Sequence, residues 1–294
     1  MHLLLRPLPG ALLVTPAFLL FLFLAAALGA DPLLLPPLSS GGAGPRSLVR
    51  PTPHEPERTR DFETDRPDIT EAARTVPAGH FQAEISVFDF ARDNDGEGET
   101  ESQLWGNLNL KLGVRDNVDL QFVFDAFGEE RRVDDGGTST REGFGDLTTR
   151  LKVNLWGNDG GRTAFALFPY VKFPTGTARS NDRAEGGLIL PFSVDLNDRH
   201  SLGLMLQPDL IFEEISGGRD LEVLHSVALG TALGARWGNY VEYAGITGSV
   251  YRALFSGGFT FSPRDALQYD LGVRLGLNDA AEDFGIFAGV SFRL

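Results

Sequence analysis

Residues 266–294 alternate strictly between apolar and polar or small positions. Leu267, Tyr269, Leu271, Val273, Leu275 and Leu277 interleave with Gln268, Asp270, Gly272, Arg274 and Gly276. After a turn, Phe284, Ile286, Ala288, Val290, Phe292 and Leu294 interleave with Gly285, Phe287, Gly289, Ser291 and Arg293. A period of two predicts strands with one apolar face. In a soluble sheet that face would need a second layer to cover it.

The same pattern recurs upstream and predicts ten more strands. They fall at about Gly79–Phe90, Gln103–Val114, Val118–Phe127, Gly145–Trp156, Arg162–Phe173, Ala184–Leu196, His200–Glu213, Asp220–Leu233, Gly238–Thr247 and Tyr251–Phe261. Leu221–Leu224 is the one portion that alternates poorly. No helical run and no spare sheet is available to cover so many apolar faces, which leaves lipid as the solvent. Only a closed barrel lets strands satisfy their backbone there. The expected fold is therefore all-β: a membrane-spanning, antiparallel, up-and-down β-barrel of about twelve strands over residues 79–294.

Connections support one orientation. Ala91–Glu101, Gly128–Gly143 and Pro174–Arg183 read as long charged loops facing outward, and the alternate connections read as short periplasmic turns. Trp105, Trp156, Trp237, Tyr240, Tyr243, Tyr251 and Tyr269 fall near strand ends and suit interfacial aromatic girdles. An aromatic near the end of the final strand, here Phe292, is typical of bacterial outer-membrane barrels and predicts recognition by the barrel-assembly machinery.

Residues 1–30 read as a cleaved secretory signal: Arg6, then an apolar core from Ala11 to Leu28, then small residues at Ala27 and Gly29. Residues 31–60 are rich in Pro, Gly and Ser and predict a disordered linker. Residues 61–78 contain Thr64-Asp65-Arg66-Pro67-Asp68-Ile69-Thr70-Glu71, followed by Val76-Pro77-Ala78-Gly79-His80-Phe81-Gln82-Ala83-Glu84. This stretch resembles the opening of the MetA-pathway of phenol degradation family, and the resemblance extends through Tyr170–Gly176 to the last hairpin. It implies an outer-membrane transporter or channel. Asp65, Arg66 and Asp68 suggest a local salt-bridged knot beside Pro67. The segment is either a plug folded into the lumen or a periplasmic cap over the barrel mouth.

Composition narrows the chemistry. A net charge of −14 argues against nucleic-acid binding, and the absence of cysteine excludes disulfides and thiolate metal sites. A mean hydropathy of −0.08 fits a barrel in which half of each strand is polar. The inward positions mix signs. Lys111, Asp119, Asp125, Asp146, Arg150, Lys152, Tyr170, Lys172, Asp195, Glu242, Asp270 and Arg274 are candidates for a pore lining or for charge pairs that close the lumen. Phe168, Tyr170 and Phe287 could stack an aromatic solute.

His225 and Ser226 adjoin in sequence, so on a strand they point to opposite faces and cannot form a lipase pair. No nucleophile elbow, metal-ligating His pair or nucleotide loop stands out, so no cofactor or metal is called for. The expected function is passive passage of small solutes, including hydrophobic or aromatic ones. The alternatives are a closed-lumen surface protein and, third, a lipid hydrolase. The expected partners are outer-membrane lipid and a small solute.

Overall fold

The computed structural model describes residues 60–213 and 217–294. The expected signal segment, and all of the expected linker but Arg60, lie outside the described residues. Every regular element described is a strand: β1 (Phe81–Asn94), β2 (Gly98–Arg115), β3 (Val118–Asp134), β4 (Gly137–Gly143), β5 (Leu147–Trp156), β6 (Thr163–Phe173), β7 (Glu185–Asn197), β8 (His200–Glu213), β9 (Gly218–Ala232), β10 (Trp237–Thr247), β11 (Arg252–Arg264), β12 (Leu267–Gly276) and β13 (Phe284–Arg293). β5 pairs with the first half of β3 and β4 with its second half, so the two form one stave interrupted at residues 144–146. The result is a twelve-stave antiparallel barrel. β1 bonds to both β2 and β13, and β2 bonds to β3, which closes the ring. Closure removes the unpaired edges that a membrane does not tolerate.

The burial pattern inverts that of a soluble protein. Glu84, Lys111, Lys152 and Glu242 are each at most 2% exposed, as are Asp119 and Gln121. Leu112, Phe122, Leu155, Leu206, Leu210, Phe259 and Leu271 are exposed on the other face. Charge inside and hydrocarbon outside is the arrangement of a membrane barrel, and it follows from the alternation read in the sequence.

Three expectations need correction. The stretches read as long loops at Ala91–Glu101 and Gly128–Gly143 are mostly paired strand. β1 runs to Asn94 and β2 begins at Gly98, while β3 and β4 continue to a turn at residues 135–136. These hairpins are wet on both faces beyond the membrane, so the apolar alternation stops while the ladder continues. The tip at Asp95–Glu97 is held by the Asp95 carboxylate, which accepts from the Glu97 and Gly98 amides at 3.0 and 2.9 Å.

The weak alternation at Leu221–Leu224 has a cause on the inner face, where Leu224 packs against an apolar cluster. Tyr240 is not a girdle residue. It is buried in the barrel, where a side chain at Gly258 or Gly272 would collide with it. The other six aromatics named for the girdles are exposed.

Three neighbouring staves also carry a proline in mid-strand. The β5–β6 register reaches Arg150↔Tyr170 and resumes at Val153↔Leu167, stepping over Pro169. The β6–β7 register steps over Pro191 and the β7–β8 register over Pro208. Proline has no N–H to give the ladder. Each of the three is paired on its other side, to Leu188, Met205 and Val223 respectively.

Candidate functional site in the barrel lumen

Residues 61–78 lie inside the barrel. They enter at the end that carries the short turns, where the Gly79 amide donates to the Gly113 carbonyl at 2.8 Å and Arg60 reaches Asp159 at 2.7 Å. From there their polar groups bond to inward positions on most of the staves. Of the two placements left open by the sequence, the lumen is the one observed.

Asp65 is the most enclosed anchor. Its carboxylate accepts from Lys111 Nζ, from Lys152 Nζ at 3.0 Å and from the Ala72 amide at 2.9 Å. Its own amide donates to both oxygens of Glu84, at 3.1 and 3.0 Å, and Glu84 also pairs with Lys111. Burial alone would raise the Asp65 pKa, but the two ammonium groups outweigh it and hold the carboxyl well below the usual range. Asp119 extends the cluster by accepting from the Val76 amide at 2.9 Å.

β10 and β12 hold the stretch from Arg66 to Thr70. Glu242 accepts from the Ile69 and Thr70 amides at 2.9 and 2.8 Å, and from the Thr70 hydroxyl at 2.7 Å. Asp270 takes Arg66 in a two-point grip, Nε at 3.1 Å and Nη2 at 2.6 Å. The local knot expected of Asp65, Arg66 and Asp68 therefore does not form. Asp65 turns to Lys111 and Lys152 while Arg66 turns to Asp270, so each pairs with the wall and not with its neighbour. Asp68 is enclosed near Glu242, and burial followed by that like charge pushes its pKa well up.

Between these anchors the lumen is apolar. Ala166, Phe168, Ile189 and Met205 form a buried cluster, with Ile69, Tyr170 and Leu224 packed on it. Beside it Glu71 pairs with Arg150 Nη1 at 2.5 Å. Burial and then the nearby Asp65 raise the Glu71 pKa, with Arg150 offsetting part of the rise, so that it is pushed up to about 7.

The inward candidates divide into two groups. Lys111, Asp119, Arg150, Lys152, Glu242 and Asp270 touch the inserted segment, and Asp195 joins them through Arg74 at 3.1 Å. The rest pair within the wall. Asp125 accepts from Asn107 at 2.7 Å, and Lys172 sits between Asp146 at 3.2 Å and Glu185 at 2.7 Å. Tyr170 donates to Asp209 at 2.6 Å, while Arg274 grips Asp89 at 2.6 Å and Glu282 at 2.5 Å. Phe287 lies beneath the guanidinium groups of Arg66 and Arg274 rather than in open lumen. Sequence reasoning missed Glu71 and Asp89 as partners. Strict alternation from Gln82, Glu84 and Ser86 would place Asp89 outward; the bulge between Ser86 and Phe88 turns it inward, and nothing local flags Glu71.

The segment does not fill its end of the barrel. A cavity of about 550 Å³ lies between Phe62, Pro67, Asp68 and Glu71 on one side and Ser193, Gly203, Ala228, Tyr240 and Thr260 on the other, reaching the turn residues Asp198 and Arg236.

Gly113, Gly203 and Gly289 leave room for the segment. A Cβ at Gly289 would lie 2.3–2.5 Å from the Arg66 guanidinium. Gly289→Ala is expected to push Arg66 off Asp270 and loosen the segment without disturbing the ladder. Faster labelling of a cysteine placed at Thr64 in this variant than in the parent would show it; equal rates would contradict it.

Among solved structures, the COG4313 outer membrane channel from Pseudomonas putida F1 superposes with a TM-score of 0.58 at 15% identity, over 76% of this chain and 98% of that one. The NanC porin gives 0.48 at 9% identity, over 73% and 100% of the two chains. At these identities the likeness to the COG4313 channel speaks to the fold, an outer-membrane barrel. No functionally curated protein matches the chain. A family model, that of the MetA-pathway of phenol degradation, matches residues 64–294, from the start of the inserted stretch through the last stave. The chain is thus an outer-membrane β-barrel and belongs to the MetA-pathway of phenol degradation family.

Proposed function

We propose that the protein is a gated channel that passes small solutes passively across the outer membrane, hydrophobic or aromatic ones among them. Residues 61–78 are its movable obstruction. The observation that carries this reading is how the segment is held: mostly by ion pairs and amide–carboxylate bonds to lumen side chains, with Ile69 against the apolar cluster and the small side chains of Ala73 and Val76 buried besides. Water can replace such bonds at modest net cost, unlike the burial of a hydrophobic core. The inward charges that the segment leaves uncovered, among them Asp125, Asp146, Lys172 and Arg274, then line the remaining path. Residues 1–30 serve as the cleaved export signal in this reading, and the C-terminal strand is what the assembly machinery recognises. No catalytic step is assigned.

The gate carries its own pH dependence. Glu71 has a raised pKa in the seated segment, so seating favours its protonated form. That contribution is fully present below the ordinary Glu value of 4.5 and is lost as pH rises through about 7. Asp65 has the opposite sign, and its contribution is lost only below its ordinary value of 3.8. Between pH 4.5 and 7 the balance therefore shifts toward release as pH rises. Planar-bilayer recordings are expected to show more frequent open events at pH 7.5 than at pH 5, and Glu71→Gln should flatten the difference. A chain that conducts at neither pH would defeat the channel reading.

A further inference from the structure

We propose that the inner face of β5 to β8 is a binding site for small solutes that carry an aromatic ring directly next to a carboxylate, and that Ile69 and Glu71 occupy this site while the gate is closed. The inference rests on the channel reading and names the solute class for it.

The apolar cluster is an anomaly in a lumen otherwise lined with charge. Phe168 and Ile189 are almost fully buried, Met205 nearly so, and the inserted segment supplies one apolar side chain to cover them, Ile69. Two residues on, the Glu71 amide lies against Met205 Sδ at 3.4 Å, and the Glu71 carboxylate reaches Arg150. That ion pair uses only part of each group. Glu71 Oε2 and Arg150 Nε are both buried without a hydrogen-bond partner. A guanidinium binds a carboxylate best through two parallel N–H bonds, and the peptide does not deliver that geometry. Lys152 closes the edge of the patch, with its ammonium 4.3 Å from the centre of the Phe168 ring.

The segment thus presents an apolar group and a carboxylate, two residues apart, to an apolar wall with cations on its rim. A free aryl carboxylate offers the same two features on one rigid body. Its ring would replace Ile69 against Phe168 and Ile189, and its carboxylate could take both faces of the Arg150 fork. A neutral aromatic would leave Arg150 buried and unpaired, which costs more than the lost bond itself. A small aliphatic carboxylate would leave the apolar wall uncovered. An amine would face Arg150 and Lys152 as a like charge.

The test is calorimetric titration of the full chain in detergent at pH 7.5 with benzoate, benzyl alcohol and acetate, each corrected against empty micelles. Benzoate is expected to bind saturably and at least about tenfold more tightly than the other two. Arg150→Gln should weaken benzoate by a similar factor, and Arg150→Lys should weaken it less. Resistance to unfolding by SDS at room temperature checks that each variant is a folded barrel. Unchanged benzoate affinity in folded Arg150→Gln, or equal affinity for benzyl alcohol, overturns the site. Conductance in potassium chloride is independent of benzoate. A conducting chain that ignores benzoate loses the solute class and keeps the channel. A chain that binds benzoate through Arg150 but never conducts keeps the site and loses the channel.

Discussion

Excision of residues 61–78 is expected to leave a folded barrel whose single-channel conductance is several times that of the full chain. The wall does not depend on the segment, because the ring is closed by backbone pairing of β1 with β13. The side chains uncovered by excision do not become stranded in hydrocarbon. Glu84 and Asp119 remain beside Lys111 and Lys152, and water entering the lumen can solvate Arg150, Glu242 and Asp270. What is lost is the material bridging the lumen between Lys111 on β2 and Glu242 on β10. Planar-bilayer recordings of the two proteins, with heat-shifted migration in SDS gels as the folding check, decide the matter. A folded, excised barrel with unchanged conductance would place the constriction elsewhere, for instance in residues 174–184.

The second large effect is expected at Lys111. Its ammonium lies between two carboxylates, Asp65 and Glu84, and the residue is 2% exposed. Lys111→Met keeps the unbranched stem but removes the ammonium, and leaves both carboxylates enclosed with Lys152 as the one remaining cation on Asp65. Breaking a buried ion pair on one side costs about 3–5 kcal/mol, because the surviving charge stays desolvated. The loss should appear either as lower resistance of the whole barrel to urea or as release of the segment to protease. Glu84→Gln in the same background should restore part of it, since removing the second member relieves the uncompensated charge. A change below about 1 kcal/mol in Lys111→Met would mean that water already screens this cluster.

Much of the barrel was legible because lipid imposes a simple rule on every stave. Leu271, Val273 and Leu275 must face out, so Asp270 and Arg274 must face in, and the register follows. The rule fails where lipid is absent. Arg131 and Arg132 belong to a paired hairpin that no apolar alternation marks, because both of its faces meet water. It also fails where the lumen borrows apolar residues, as at Leu224, and where glycines open room inward for an aromatic, as at Tyr240.

The candidate site was half legible. The composition of Asp65, Arg66 and Asp68 marked the segment as unusual, and the inward phase gave Lys111, Lys152, Glu242 and Asp270. Their pairing could not be read, because Arg66 and Asp270 are 204 residues apart. Only ring closure brings them together.

The prolines at positions 169, 191 and 208 bear on the mechanics of the cylinder. Three consecutive seams each forfeit a rung near mid-height, all on one flank, while the seam between β8 and β9 is continuous. A tube built this way does not resist squeezing equally in all directions. Phe168, Ile189 and Met205 sit on the inner side of those seams, so squeezing along that flank is expected to reach the apolar patch directly.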